Sequence, residues 1–164
     1  MVKAIVYESK AGHTLKYAEM LSKKLNIPFY SSKEASKKLK GNDKIIYLGW
    51  ICAGKIKGIN KIQNKYTIIC YGAVGAYPYS DKYINELKMA NSIDKPLFYL
   101  RGGIDYSKLG RFSKLLVQMV GKTMKDIDEK TQIMFKQGYN FVAEENLEKM
   151  IQYIQKNSNN IEMR

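Results

Sequence analysis

Cysteine, histidine and proline are scarce: the 164-residue chain holds two cysteines, Cys52 and Cys70, one histidine, His13, and three prolines. Two thiols and one imidazole cannot supply the four closely spaced ligands of a structural zinc site. Nothing suggests export, so the thiols are expected to stay reduced in a cytoplasmic setting. Long hydrophobic runs are missing too, and none approaches the ~20 residues that a membrane-spanning helix needs. The apolar start, Ala4-Ile5-Val6-Tyr7, is too short for a signal-peptide core and runs into Glu8. Acidic side chains are few, 15 against 28 lysines and arginines, for a formal net charge of +13.

What is present is a globular composition, 45% apolar and 12% aromatic. The length suits one domain with its own core. That domain is expected to span residues 1–157, with 158–164 as a frayed tail. The charge is uneven: residues 1–65 carry 14 basic and 4 acidic side chains, including a lysine-rich stretch, 32–40, with four lysines and one glutamate. That stretch reads as a solvated helix face or loop. An excess of this size invites a nucleic-acid or anionic-surface reading, yet no recognition-helix or RNA-binding signature accompanies it.

Strand-like and helix-like segments alternate along the whole chain. Residues 4–7, 44–49, 67–71 and 96–100 are continuous apolar or β-branched runs, as strands buried on both faces require, and 27–30 is a short edge candidate because it contains Pro28. Helical spacing appears at Ala18, Leu21 and Leu25, at Tyr83, Ile84, Leu87 and Ala90 behind an N-capping Ser80, and at Leu147, Ile151 and Ile154 in a helix expected over 143–156. The alternation predicts an α/β fold, a doubly wound parallel sheet of five strands in a three-layer α/β/α sandwich. In such sheets ligands sit beyond the carboxyl ends of the strands.

The loop after the first strand is Glu8-Ser9-Lys10-Ala11-Gly12-His13-Thr14, and a helix follows at once. Gly12 permits close backbone approach, Ser9 and Thr14 offer hydroxyls, and a helix start aims amides at one point, which together make an anion cradle. An ordinary Gly/Ser turn with a capping hydroxyl would use the same residues. The segment resembles the N-terminal signature of the flavodoxin family at Ser9, Gly12, Thr14, Ala18 and Leu21, with Ala11 where many members have another hydroxyl. The resemblance implies strand order 2-1-3-4-5 and an FMN phosphate held by Ser9, Lys10, Ala11, Gly12, His13 and Thr14. His13 is then expected to contribute its backbone rather than act as a catalyst.

The same resemblance places the isoalloxazine ring between the loops that follow the third and fourth strands of the main sheet. These loops are expected to supply Trp50, Ile51, Cys52, Ala53 and Gly54, and Gly72, Ala73, Val74, Gly75 and Tyr77. Trp50, the lone tryptophan, and Tyr77 are candidates for stacking on the ring; Trp50 could instead simply cover the sheet end. Cys52 reads as a small hydrophobe rather than a redox thiol. Gly49 to Lys55 nearly spells a P-loop but has Ile56 where magnesium needs a hydroxyl, and Gly121-Lys122-Thr123 lacks the upstream glycine, so a nucleoside triphosphatase is disfavoured.

Beyond the last strand, residues 101–122 form a basic segment with Leu109, Phe112, Leu116 and Val120 on one helical face. It either packs that face into the core or lies on an anionic membrane or partner. The segment is similar to the corresponding part of the flavodoxin-type, quinone-dependent protoporphyrinogen oxidases, although residues 72–94 are shorter and less basic than the stretch those enzymes carry. The expectation is thus an FMN-binding redox protein, with a quinone-linked oxidase as the finer alternative. Its partner would be a redox protein or a quinone, acidic or membrane-associated. A basic nucleic-acid- or membrane-surface-binding domain is the rival of another class.

Overall fold

A computed structural model describes residues 1–105, 133 and 137–162, with side chains described as far as Asn157. The basic segment expected to be amphipathic lies outside the described residues from Tyr106 onward.

The first half of the chain builds a parallel sheet. Strand β1 (Ala4–Glu8) leads into helix α1 (His13–Leu25), followed by β2 (Phe29–Ser31) and α2 (Ser32–Lys38). Next come β3 (Lys44–Cys52), β4 (Lys55–Ile56), α3 (Ile59–Gln63) and β5 (Thr67–Gly75). Helix α4 (Asp81–Ala90) returns to β6 (Leu97–Arg101), and β7 (Gly103–Ile104) pairs with β8 (Tyr139–Asn140). A 3₁₀ turn, Glu144–Leu147, then opens α5 (Glu148–Glu162).

The sheet order is β2-β1-β3-β5-β6, all parallel, with β4 turned antiparallel against β3. Leaving the small β4 aside, this is the expected order 2-1-3-4-5. Side chains alternate between two cores. Ile5, Ile46, Leu48, Cys70 and Leu100 face α1 and α5 through Tyr17, Leu21, Met150 and Ile154. Val6, Ile45, Tyr47, Ile68 and Tyr71 face α2 and α3 through Ala35, Ile59 and Ile62. Helices thus cover both faces of a sheet whose central strands are apolar on each side, the three-layer arrangement.

Several boundaries differ from the sequence expectation. Strands β3 and β5 each run nine residues, three and four past their expected ends, because both continue beside a neighbour: Trp50 pairs with Val74 and Gly75 with Arg101. The lysine-rich stretch forms α2, started by a capping box in which the Glu34 N–H donates to Ser31 Oγ and the Ser31 N–H to Glu34 Oε2. Helix α5 continues through Glu162, beyond the point where the asparagine-rich end suggested fraying. No helix among the described residues is long and apolar enough to cross a membrane.

Candidate functional site

The sheet reverses its winding at β1, which has β2 on one side and β3 on the other. The crevice beyond the carboxyl ends of β1 and β3 is therefore where the fold leaves room for a ligand. Every element that ends there contributes a segment singled out in the sequence.

From β1 come Ser9, Lys10, Ala11, Gly12, His13 and Thr14. Gly12 occupies the N-cap of α1 at φ 94°, a left-handed conformation that glycine adopts without a Cβ clash. Its N–H donates to Ser9 Oγ at 3.2 Å, folding the loop into a turn over the helix start. Thr14 is 1% exposed, whereas Lys10 is exposed. The N-cap is a glycine, with no side chain to cap the helix, and no acid occupies the first turn. A helix start with no carboxylate in its first turn favours an anion. Hydroxyl, glycine and lysine are donor types that suit a phosphate monoester.

The second segment is not the free loop expected. Trp50, Ile51 and Cys52 belong to β3, and Ala53 and Gly54 form a two-residue hairpin turn at φ 49° and 71° into β4. The paired positive φ angles are those of a type I′ turn. Lys55 donates its Nζ to the Ala90 carbonyl at the end of α4. The near-P-loop spelling is thus a hairpin, with its lysine committed to a helix end. Trp50 is half-buried, with Lys10 Nζ 5.4 Å and Lys57 Nζ 5.9 Å from its ring centroid.

The third segment also needs correction. Gly72, Ala73, Val74 and Gly75 are buried residues of β5, paired with β3 or β6 or both, rather than loop residues. A Cβ on Gly72 would lie 2.5 Å from Leu48 Cδ2 and 2.9 Å from Leu100 Cδ1, so this glycine makes room for core packing. The loop proper starts at Ala76 and Tyr77. Its carbonyls are held by two tyrosines: Tyr139 OH donates to Ala76 O and Tyr99 OH to Tyr77 O, each at 2.6 Å. Burial, followed by the neighbouring Tyr83 and Tyr139, raises the Tyr99 pKa far above its ordinary value, so Tyr99 remains a donor. The Tyr77 ring packs on Tyr83 at 5.8 Å, and Tyr83 packs edge-on to Tyr99 at 6.0 Å.

Sequence reasoning missed Asn91, which is 5% exposed and joins the second segment to α4. Its Oδ1 accepts the Ile56 N–H at 2.9 Å, while its Nδ2 donates to Gly54 O at 3.0 Å and Leu87 O at 2.8 Å. Helix α4 begins just after the Tyr77 loop, at the Ser80 cap, so it spans the distance between the two segments. Arg101 was missed as well. Its guanidinium lies 3.9 Å over Phe141, and its buried Nε has no hydrogen-bond partner among the described residues. Neither residue belongs to a recognisable motif; only the fold reveals them.

Cys52 and Cys70 are both free thiols. Burial pushes the Cys70 thiol up to about 12, which leaves it a protonated core residue at neutral pH. A shallow groove lined by Asn85, Lys88, Met89, Ser92, Ile93 and Asp94 near the end of α4 includes none of the candidate site residues.

No curated protein matches the chain. The family model described as a Flavodoxin domain matches residues 4–132, a span that takes in all three segments described above and all five main strands. A doubly wound 2-1-3-4-5 sheet, together with a family match over most of the chain, places this chain in the flavodoxin family, whose domain is a flavin-binding redox module.

Proposed function

We propose that the chain binds FMN and passes electrons through it. The observation that carries this reading is the glycine-capped, acid-free start of α1, folded by the Gly12–Ser9 hydrogen bond and lying at the switch point near the lone tryptophan. In this reading Ser9, Lys10, Gly12, His13 and Thr14 hold the phosphate, with backbone amides supplying most of the donors. Trp50 and Tyr77 flank the ring, with Ile51, Cys52, Ala53 and Gly54 beside it. Gly75 ends the strand under the ring, while Gly72, Ala73 and Val74 support the site through the sheet. Once bound, the flavin supplies the redox chemistry. The protein positions the ring, shields it from water and sets the charge around it.

Two free thiols suit a reducing cytoplasm. The partner is a redox protein or quinone, and the positive charge favours an acidic one. The quinone-linked oxidase alternative rests on residues 101–122, which lie outside the described residues from Tyr106 onward.

Titration of apo-protein with FMN tests the proposal, with Trp50 as the internal fluorescence probe because it is the single tryptophan. Saturable quenching at one equivalent is expected. Riboflavin, which lacks the phosphate, should bind about tenfold or more weakly, a loss of ~1.4 kcal/mol that one charge-assisted contact can supply. Absence of saturable FMN binding, or equal affinity for riboflavin, would refute the cradle's assigned role.

A further inference from the structure

The last rung of the sheet at the end of β5 is the Gly102 N–H donating to Gly75 O at 2.7 Å. The chain then turns through Ala76 and Tyr77 into Pro78, which has no N–H to give. The next two carbonyls are taken by side chains from two different strands. Tyr99 OH, from β6, donates to Tyr77 O, and Tyr139 OH, from β8, donates to Ala76 O, each at 2.6 Å. Successive peptides of the ring-side loop are thus held by the main sheet and by the returning chain at once.

Two glycines make room for this clamp. A Cβ on Gly75 would lie 2.7 Å from the Tyr99 hydroxyl oxygen, and one on Gly103 would strike the Tyr139 carbonyl. Packing fixes the direction of both phenols. Tyr99 meets Tyr83 edge-on at 6.0 Å, and Tyr139 packs on Phe141 at 5.1 Å, with the Arg101 guanidinium over the Phe141 ring. Phe141 N–H donates to Gly102 O at 3.0 Å, which seats the returning chain beside β7. Tyr139 lies beyond residues 4–132, so the second hydroxyl comes from outside the span that matches the family model.

A loop held at two successive carbonyls keeps one shape. With either bond gone it divides its time among several, and the apparent affinity of a ligand falls with the fraction in the receiving shape. Resting on the FMN reading above, we infer that Tyr99 and Tyr139 are positioning residues for the isoalloxazine, fixing the Ala76–Tyr77 loop that receives the ring, and that bound FMN in return fastens β8. The return effect follows from reciprocity: if the closed clamp favours the ring, the bound ring favours the closed clamp by the same factor. The phosphate cradle belongs to a different segment, the loop after β1, so the clamp acts on the ring and not on the phosphate.

Phenylalanine at either position removes one oxygen and keeps the aromatic ring. Y99F, Y139F and the double variant are titrated with FMN and with riboflavin. Each single variant should weaken both ligands about fivefold, the loss that corresponds to one net hydrogen bond. The double variant should lose more, with the FMN-to-riboflavin ratio unchanged throughout. Amide hydrogen exchange at Phe141 is followed in the unaltered protein and in Y139F, with and without saturating FMN. FMN should slow it several-fold in the unaltered protein, and Y139F should lose most of that slowing. The inference is overturned if the folded double variant binds FMN within twofold of the unaltered protein, or if FMN weakens while riboflavin does not. It is equally overturned if FMN leaves Phe141 exchange unchanged, or slows it alike in both proteins. Exchange in the unaltered protein needs no substitution, so the test survives a variant that fails to fold. Failure of the unaltered protein to bind FMN would instead remove the parent reading and this one with it.

Discussion

Gly12 and Gly72 both carry the flavin-site resemblance, but their roles in the folded protein are different. At Gly12 the constraint is conformational: φ 94° forces any L-residue into a left-handed backbone, at a cost of roughly 1–2 kcal/mol. At Gly72 the constraint is space, since a methyl group would press on Leu48 and Leu100 from within the α1/α5 core. Overpacking of that kind typically costs about 1–3 kcal/mol. Gly72→Ala should therefore lower the melting temperature and leave the FMN dissociation constant of the folded protein within about twofold, because nothing that holds the phosphate has moved. Gly12→Ala should do the opposite in proportion, with modest loss of stability and FMN binding weakened about tenfold as the cradle opens. Thermal unfolding and FMN titration on both variants distinguish the two roles. If Gly72→Ala weakened FMN as much as Gly12→Ala, then Gly72 would belong to the ligand contact after all.

Among the elements, α4 is the bridge. It starts at the Tyr77 loop and ends on the hairpin below Trp50, joined there by Asn91 and by Lys55. Replacing Asn91 with leucine leaves the buried Ile56 N–H without its acceptor and the Gly54 carbonyl without its donor. An unsatisfied buried group costs about 1–3 kcal/mol, which for a chain of this size is a drop of roughly 2–12 °C in melting temperature. Asn91→Leu should also weaken FMN binding, because the hairpin carrying Trp50 loses its anchor to the helix that follows the other ring-side loop. A variant that melts within a degree of the parent and binds FMN normally would show the clamp to be dispensable. The contrast with the legible elements is physical. Central strands announce themselves as apolar runs, and α1, α4 and most of α5 show 3.6-residue spacing, so the fold class could be read from the sequence, while the strand order followed from the flavodoxin resemblance. The ends of β3 and β5 could not, because Trp50-Ile51-Cys52 and Gly72-Ala73-Val74-Gly75 resemble loop or glycine-turn sequence until a neighbouring strand pairs with them. The hairpin was hidden for a related reason: Ala53 holds a positive φ where asparagine, aspartate or glycine is the usual signal. Asn91 gave no signal because its value lies in contacts 35 and 37 residues away along the chain.

For the whole molecule, the question is where a charge of +13 acts. Parallel topology distributes the lysines of the first half to both edges of the sheet. Lys3, Lys44 and Lys65 lie at the amino ends of strands, whereas Lys10, Lys16 and Lys33 sit where β1 and β2 hand over to their helices, with Lys55 and Lys57 on the hairpin of β3. Among the described residues, the acids at these strand ends and helix starts, Glu8, Glu34 and Asp81, are fewer than those five lysines. A ligand edge of this sign steers anions toward the bound flavin and repels cations, an effect worth 10–10³ in rate at low salt that fades as the Debye length shrinks from about 30 Å at 0.01 M to below 10 Å above 0.1 M. This gives a test of partner chemistry that needs no identified partner. FMN-loaded protein, reduced with dithionite freed of excess, is reoxidised by ferricyanide or by hexaamminecobalt(III), two small reagents of opposite charge. The ferricyanide rate should fall about tenfold or more between 0.01 and 0.3 M salt, while the cobalt rate rises or stays level. Comparing salt slopes rather than absolute rates removes the difference in driving force between the two reagents. A ferricyanide rate that ignores salt would mean the positive field lies away from the flavin, and the acidic-partner reading would lose its basis. A steep fall would mean that the lysines of this edge select who exchanges electrons with the flavin.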